Sequence, residues 1–220
     1  EGRLRQFWTA GLEPRAVVEH GLFGVDNVTE AGMRYHVEDQ YRIQANGDSP
    51  TSRDPGTGRN AGIREDSDRT VEAMSAFVQN RFDFGRWTVT PGVRFEHVDY
   101  ERTDNLTGAT GESTVDEVIP GIGATFEVLP ETVVFAGVHR GFAPPGVADI
   151  VTAAGGSVDL DAELSWNYEL GLRANPRDGL AYEATLFRMD FDNQIVPASV
   201  AGGSGATLTS AGETLQQGLE

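Results

Sequence analysis

The sequence predicts an all-β fold, a stretch of an antiparallel up-and-down transmembrane β-barrel. Three observations predict it. Apolar residues recur at every second position over stretches of about 9–11 residues, the length a tilted strand needs to cross a bilayer. Short turns alternate with long polar connections, as in a barrel with turns at one rim and loops at the other. No apolar run reaches about 18 residues, so no helix in the chain spans a membrane.

Taken in order, the first expected strand is Arg15 to Phe23, with Gly24 to Asn27 as its turn. Met33 to Ile43 follows, with Met33, Tyr35, Val37, Tyr41 and Ile43 opposed to Arg34, His36, Glu38, Gln40 and Arg42. Trp87 to His97 has the same form: Trp87, Val89, Pro91, Val93 and Phe95 against Thr88, Thr90, Gly92, Arg94 and Glu96. A helix would space its apolar residues by three and four instead.

Val118 to Val128 puts Pro120, Ile122, Ala124 and Phe126 on one parity. Thr132 to His139 is apolar on both parities, so its orientation is open. Ser165 to Ala174 alternates cleanly through Trp166, Tyr168, Leu170 and Leu172. In the next strand Tyr182, Ala184 and Leu186 are followed on the same parity by Arg188, read as a cation snorkelling at the membrane edge. The count is roughly ten strands, with Trp8, Trp87 and Trp166 near strand ends where barrels carry interfacial aromatics.

Tight turns are expected at Phe84–Trp87, Leu129–Thr132 and Asn175–Gly179, each supplied with Gly, Pro, Asn or Asp. Long connections are expected at Ala45–Asp66, Thr103–Thr114, Arg140–Leu164 and Pro197–Glu213. A soluble sandwich or barrel also alternates, so the pattern alone leaves that reading open.

Composition narrows the function. The 220 residues carry 34 acidic and 17 basic side chains, for a net charge of −17. Phosphate binding needs clustered Lys and Arg, so nucleic acid is not an expected partner. With no cysteine there is no disulfide, redox pair or thiolate metal site. Glu1 to Arg5 leads into no apolar signal-peptide region, and both ends read as cuts, which makes residues 1–220 a partial barrel domain.

Four segments in order carry a family resemblance: His139-Arg-Gly-Phe-Ala-Pro-Pro-Gly146, Glu163-Leu-Ser-Trp-Asn-Tyr-Glu-Leu-Gly-Leu-Arg173, Tyr182 to Val196, and Gln217 to Glu220. Together they resemble TonB-dependent outer-membrane receptors; Gly11 to Pro14 and Gly32 to Glu38 resemble the ferric-citrate and siderophore branch. Gly141, Pro144, Pro145, Asn167, Glu169 and Gly171 are the motif positions with a structural part.

The resemblance implies a barrel of about 22 strands around a plug, with short periplasmic turns and long extracellular loops, in the bacterial outer membrane. It implies uptake of a ferric siderophore or ferric citrate, with lipid around the wall and the TonB complex acting through the plug. Haem and vitamin B12 are further ligands of such receptors. The sequence departs from the family pattern in showing no plug or TonB-contacting box and no terminal strand. A passive porin-like barrel, or a receptor for haem or another ligand, is the alternative; a soluble carbohydrate-binding protein or enzyme is a third.

Candidate ligand residues follow from chemistry. The Arg140 guanidinium suits a carboxylate or chelate oxygen held bidentately, with Phe142 stacking beside it; alternatively both fix the loop to the wall. Arg53, Arg59 and Arg64 would draw in an anionic complex, or else pair with Asp48, Asp54, Glu65 and Asp66. His20, His36, His97 and His139 all fall in strands, away from the external loops where a haem ligand would sit. Asp190, Asp192 and Asn193 hint at a calcium loop but lack its glycine, so no metal ligand is assigned. Arg94 with Glu96, and Glu169 with Arg173, are expected as wall pairs. There is no GxSxG, HExxH, P-loop or GxGxxG, hence no catalytic residue or cofactor is expected.

Overall fold

In a computed structural model, residues 2–59, 61–152, 154–158, 160–177, 179–197 and 208–220 are described. They form one antiparallel sheet of β1 (Gly2–Leu12), β2 (Arg15–Leu22), β3 (Val25–Asn46), β4 (Gly62–Phe84), β5 (Trp87–Asp104), β6 (Ala109–Leu129), β7 (Thr132–Ala143), β8 (Glu163–Arg177), β9 (Leu180–Pro197) and β10 (Leu208–Leu219). A single turn of helix, α1 (Val147–Ile150), interrupts the β7–β8 connection.

Beyond β3, each strand lies beside the next in sequence, so the sheet is an up-and-down meander with its edges at β1 and β10. It is not closed. The strands β1 and β2 are two halves of one edge strand, since both pair with β3. Pro14 breaks them. Proline offers no amide to a ladder and is tolerated at a sheet edge; its carbonyl still accepts from Met33 N at 3.2 Å.

The expected turns at Phe84–Trp87 and Leu129–Thr132 are present and tight, and in the third, Asn175–Gly179, residue 178 lies outside the described residues. Gly85 and Gly179 take φ of 75° and 79°, and Glu131 takes 59° after Pro130. The first hairpin turns one residue earlier than its sequence suggests, on Phe23 (φ 57°) and Gly24 (φ 78°). Two successive left-handed residues suit the twist of a hairpin.

Register assigns every strand its two faces. The outward face carries Met33, Tyr35, Met74, Val78, Val93, Phe95, Val118, Ile122, Tyr168, Leu170 and Leu186, all substantially exposed. On β5 this band runs from Trp87 to Phe95, about 27 Å of strand, comparable with the apolar band of a membrane barrel. At its lower edge Trp87 packs on Phe126 with ring centroids 4.5 Å apart, and Phe82 stacks on Phe84. The orientation of β7 is settled here: Val134 and Ala136 face outward opposite Leu172 and Leu170, while Phe135 and Gly137 face inward.

Three upper connections, β3–β4, β5–β6 and β7–β8, are shorter than expected; of the fourth, Pro197–Glu213, residues 198–207 lie outside the described residues. Strand β3 reaches Asn46 and β4 starts at Gly62; β5 and β6 are separated only by Asn105–Gly108. The reason is physical. Above the apolar band the outward parity turns polar, through Glu72, Thr70, Asp68 and Asp66 on β4 and His97, Asp99, Glu101 and Thr103 on β5. Strand ends whose outward parity is polar lose the period-two signal and read as loops. His97 sits among these groups, its ring nitrogens 2.7 Å from Asp116 and 3.0 Å from Asp99.

Candidate ligand site

The inward face of the sheet changes character with height. At mid-height Gly92, Gly121, Gly123 and Gly137 leave it bare, and a concavity of about 520 Å³ opens over them, edged by Arg15, Phe77, Arg94 and His139. Arg94 reaches Glu96 and donates to Ser75 Oγ at 2.8 Å. Nearer the lower rim Arg173 holds Glu183 bidentately, at 2.7 and 3.0 Å. That corrects the expected Glu169–Arg173 pair: Glu183 lies directly across the ladder from Arg173, whereas Glu169 is two strand repeats away.

Higher up, above the apolar band, lies the most concentrated charge of the inward face. Register sets Gln40 beside Arg69 and Arg69 beside Arg102 on adjacent strands, with Arg42, opposite Ser67, one inward step higher and Glu65, opposite Gln44, two steps higher. Three guanidinium groups converge on one carboxylate. Glu65 Oε1 accepts from Arg69 Nη2 at 2.6 Å and lies 3.6 Å from Arg102 Nη2; its Oε2 is 3.4 Å from Arg42 Nη2. Arg69 and Arg102 are only 5% and 7% exposed. Their Nε atoms are buried with no hydrogen-bond partner. Nearby Asp104 accepts from the amides of Leu106 and Thr107 and from the Thr107 hydroxyl.

The β7–β8 connection roofs this cluster. Strands β6 and β7 pair only between Gly121–Leu129 and Thr132–His139. Beside the upper part of β6 the connection turns inward. Ile150, Val151, Leu160 and Ala162 form a buried apolar cluster with Val98, Tyr100 and Val115 of the wall. Arg102 Nη1 donates to the Val151 carbonyl at 3.3 Å.

The expected ligand residues are not brought together. Arg140 is outward by register, opposite Trp166, and its guanidinium lies 5.6 Å from the indole centroid. Phe142 packs against the roof's apolar cluster. Arg53 and Arg59 are exposed in the β3–β4 loop, and Arg64 is exposed at the start of β4. Among the described residues none of these three makes an ion pair. Asp48 is occupied instead by the backbone amides of Gly58 at 2.7 Å and Thr57 at 3.1 Å, which hold its carboxyl below the usual carboxylate range. Arg188 pairs with Asp190 at 2.9 Å. Among the described residues no acidic or histidine cluster suits a metal.

The motif positions cluster around β7 and β8. An added Cβ at Gly141 would stand 2.3 Å from Ser165 Oγ and 2.8 Å from Asn167 Nδ2. One at Gly171 would stand 2.2 Å from the Phe135 ring. Pro144 is exposed, Pro145 is buried as the chain turns toward α1, and Glu169 is exposed on the inward face.

Sequence reasoning missed Arg69 and Arg102. Arg42 showed only as one polar alternate in its strand. The three arginines are far apart in sequence, and only strand register joins them.

Comparison with known proteins places these features in a wider set. A family model described as TonB dependent receptor-like, beta-barrel matches residues 2–220. The pesticin receptor of Yersinia pestis is 30% identical over 164 residues, which are 69% of this chain and 23% of that protein. The metal-pseudopaline receptor CntO of Pseudomonas aeruginosa is 27% identical over 160 residues, 68% of this chain and 21% of that protein. The chain thus spans about a quarter of the length of the curated relatives it matches. The unliganded ferric citrate transporter FecA shares the fold with a TM-score of 0.79 at 23% identity, over 99% of this chain and 32% of that one. The ferric yersiniabactin uptake receptor FyuA of Yersinia pestis does so at 0.68 and 21% identity, over 99% and 32%.

Proposed function

Because the chain belongs to the TonB-dependent receptor-like β-barrel family, we propose that it supplies wall and external loops to an outer-membrane receptor taking up a ferric siderophore or ferric citrate. The family is one of bacterial outer-membrane transport receptors, not of enzymes. The observation that carries the ligand reading is the inward cluster at the outer end of the barrel. There, three arginines share one glutamate in a chain whose overall charge is −17. A local cationic focus in an acidic protein concentrates an anion at one place.

Ligand would be drawn first by exposed Arg53, Arg59 and Arg64, then held on the inward face. Its release inward would follow when TonB, acting through a plug, rearranges the lumen. Arg140 and Phe142 serve this reading by fixing the base of the β7–β8 connection. Names of similar proteins support iron and metal chelates as the class: ferric citrate, ferric yersiniabactin and metal–pseudopaline.

The test is growth of the deletion strain against wild type on single iron sources, with ferric citrate, several ferric siderophores, haem and a non-iron metal chelate in the panel. Loss of growth or uptake on one ferric chelate is expected. Unchanged uptake of every one refutes the reading.

A further inference from the structure

We propose that the lipid-facing wall carries a headgroup site for an aminophospholipid, built by His20, Thr29 and Asn80 above the β2–β3 hairpin. The inference needs the sheet to be barrel wall and does not depend on the proposed chelate. Three features carry it.

The first is polarity on the lipid side. Asn27 and Thr29 share the outward parity of Met33 on β3; register sets Asn27 between His20 and Phe82, and Thr29 beside Asn80. These polar residues interrupt an outward face that is otherwise apolar from Leu22 and Val25 across to Phe84 and Trp87. No charged residue shares that face on the lower halves of β2 to β5. A polar side chain there meets hydrocarbon unless it has a partner.

The second is the direction of the hydrogen bonds. His20 Nε2 lies 2.7 Å from Thr29 Oγ1, and the Thr29 hydroxyl donates to Asn80 Oδ1 at 2.7 Å. Asn80 Nδ2 donates to Asn27 Oδ1 at 2.7 Å, and Asn27 Nδ2 donates to the Leu22 and Val25 carbonyls at 3.2 and 2.7 Å. The one Thr29 proton goes to Asn80, so His20 Nε2 is the donor and the neutral ring keeps Nδ1 as an acceptor. Asn80 keeps a second amide N–H. Among the described residues neither of these ends has a partner. Both residues are half-buried and reachable from the lipid side. A network that only held the hairpin would end at Asn27, which alone reaches the turn carbonyls.

The third is the order of the two open ends. The lowest outward row is Leu22, Val25, Phe84 and Trp87; His20 stands one outward step above it and Asn80 two. A phospholipid of the lower leaflet has the matching order, with its ammonium at the rim and its ester carbonyls deeper. An ethanolamine-type ammonium donates to His20 Nδ1 while an ester carbonyl accepts from Asn80. Above them Ala31 and Ala76 leave a shallow bed between the exposed Val78 and Met33, where an acyl chain can lie. A choline headgroup has no N–H and cannot make the first bond.

The experiment uses the full-length receptor in mixed micelles holding equal amounts of phosphatidylethanolamine and phosphatidylcholine with the same chains. Lipid retained after transfer to plain detergent is counted by native mass spectrometry. Wild type should retain the ethanolamine lipid at least about threefold over the choline lipid. N-methyl and N,N-dimethyl ethanolamine lipids, which keep an N–H, should also be preferred over choline. Equal retention of ethanolamine and choline lipids overturns the proposal, and so does a preference lost at the first methyl; neither result depends on a variant folding.

His20→Leu combined with Asn80→Leu should erase the preference, and Tyr168→Leu on the upper outward face should leave it intact, with mobility of the unboiled receptor reporting the fold. A preference kept in the folded double variant overturns the site. Pairing of receptor copies in liposomes, abolished by the same variant and without any lipid preference, would assign the patch to a second copy and overturn the lipid reading.

Discussion

Gly171 and Phe135 face each other across β8 and β7, and no larger residue fits at the glycine. Gly171→Ala should therefore force the ring aside and destabilise the full-length receptor by about 1–3 kcal/mol. Phe135→Leu in the same background should recover part of the loss, because the clash is with the ring. A urea-unfolding mutant cycle in detergent checks the coupling, and additive effects would refute it. Asp48 supports a different prediction. Amides of Gly58 and Thr57 lower its pKa; a depressed carboxylate stabilises above its unfolded pKa and loses that effect as pH falls through the folded value. Hydrogen exchange at Thr57 and Gly58, corrected for its intrinsic pH dependence, should rise only below about pH 4. Asp48→Ala should open the loop at neutral pH and speed trypsin cleavage after Arg53 and Arg59. At this scale the sequence was least legible. Arg140 looked like a ligand residue because its motif is conspicuous, yet which way it points depends on register with Trp166. Arg69 and Arg102 were inconspicuous because their strand neighbours obey no apolar alternation.

Strands were legible wherever one face meets lipid. Trp87 to Phe95 and Trp166 to Leu172 alternate without a break because a charge on the outward parity would stand in hydrocarbon. Strand β4 does not stand out in the sequence: its outward parity is polar from Asp66 to Glu72, and its apolar run from Met74 to Phe84 is broken by Asn80. Both faces of β7 are apolar, so only its partners β6 and β8 fix its sidedness. Sidedness can be tested at two adjacent positions. Ala124 is outward and Thr125 inward on β6. Arginine at the outward site, Ala124→Arg, should cost about 1–2 kcal/mol of folding free energy in a bilayer, since it lies in the lipid-facing band one step above its lower edge. Thr125→Arg should cost under about half of that, because its side chain enters the lumen. Equal costs, measured by reversible unfolding of the full-length receptor in liposomes, would contradict the assignment of faces.

The whole sheet has an order that its turns impose: short connections keep successive strands adjacent, so the meander was legible before any register was known. What no local pattern carries is closure. Strands β1 and β10 are edges, each with alternate backbone N–H and C=O groups facing no partner in the sheet. In hydrocarbon every such group costs several kcal/mol, which is why spanning sheets close on themselves. Pro14 removes one donor from the β1–β2 edge, too little to change that balance. Residues 2–220 expressed alone should then fail to insert as a folded monomer. Electrophoresis with and without boiling, together with protease protection in liposomes, distinguishes the outcomes: the full-length receptor should give a heat-modifiable, protected band, and the segment should give neither. A protected monomeric band from the segment would mean that the two edges can be satisfied within it. The sheet would then have to bend far enough to pair β1 with β10, enclosing a lumen too narrow for both a plug and the inward-turned β7–β8 connection.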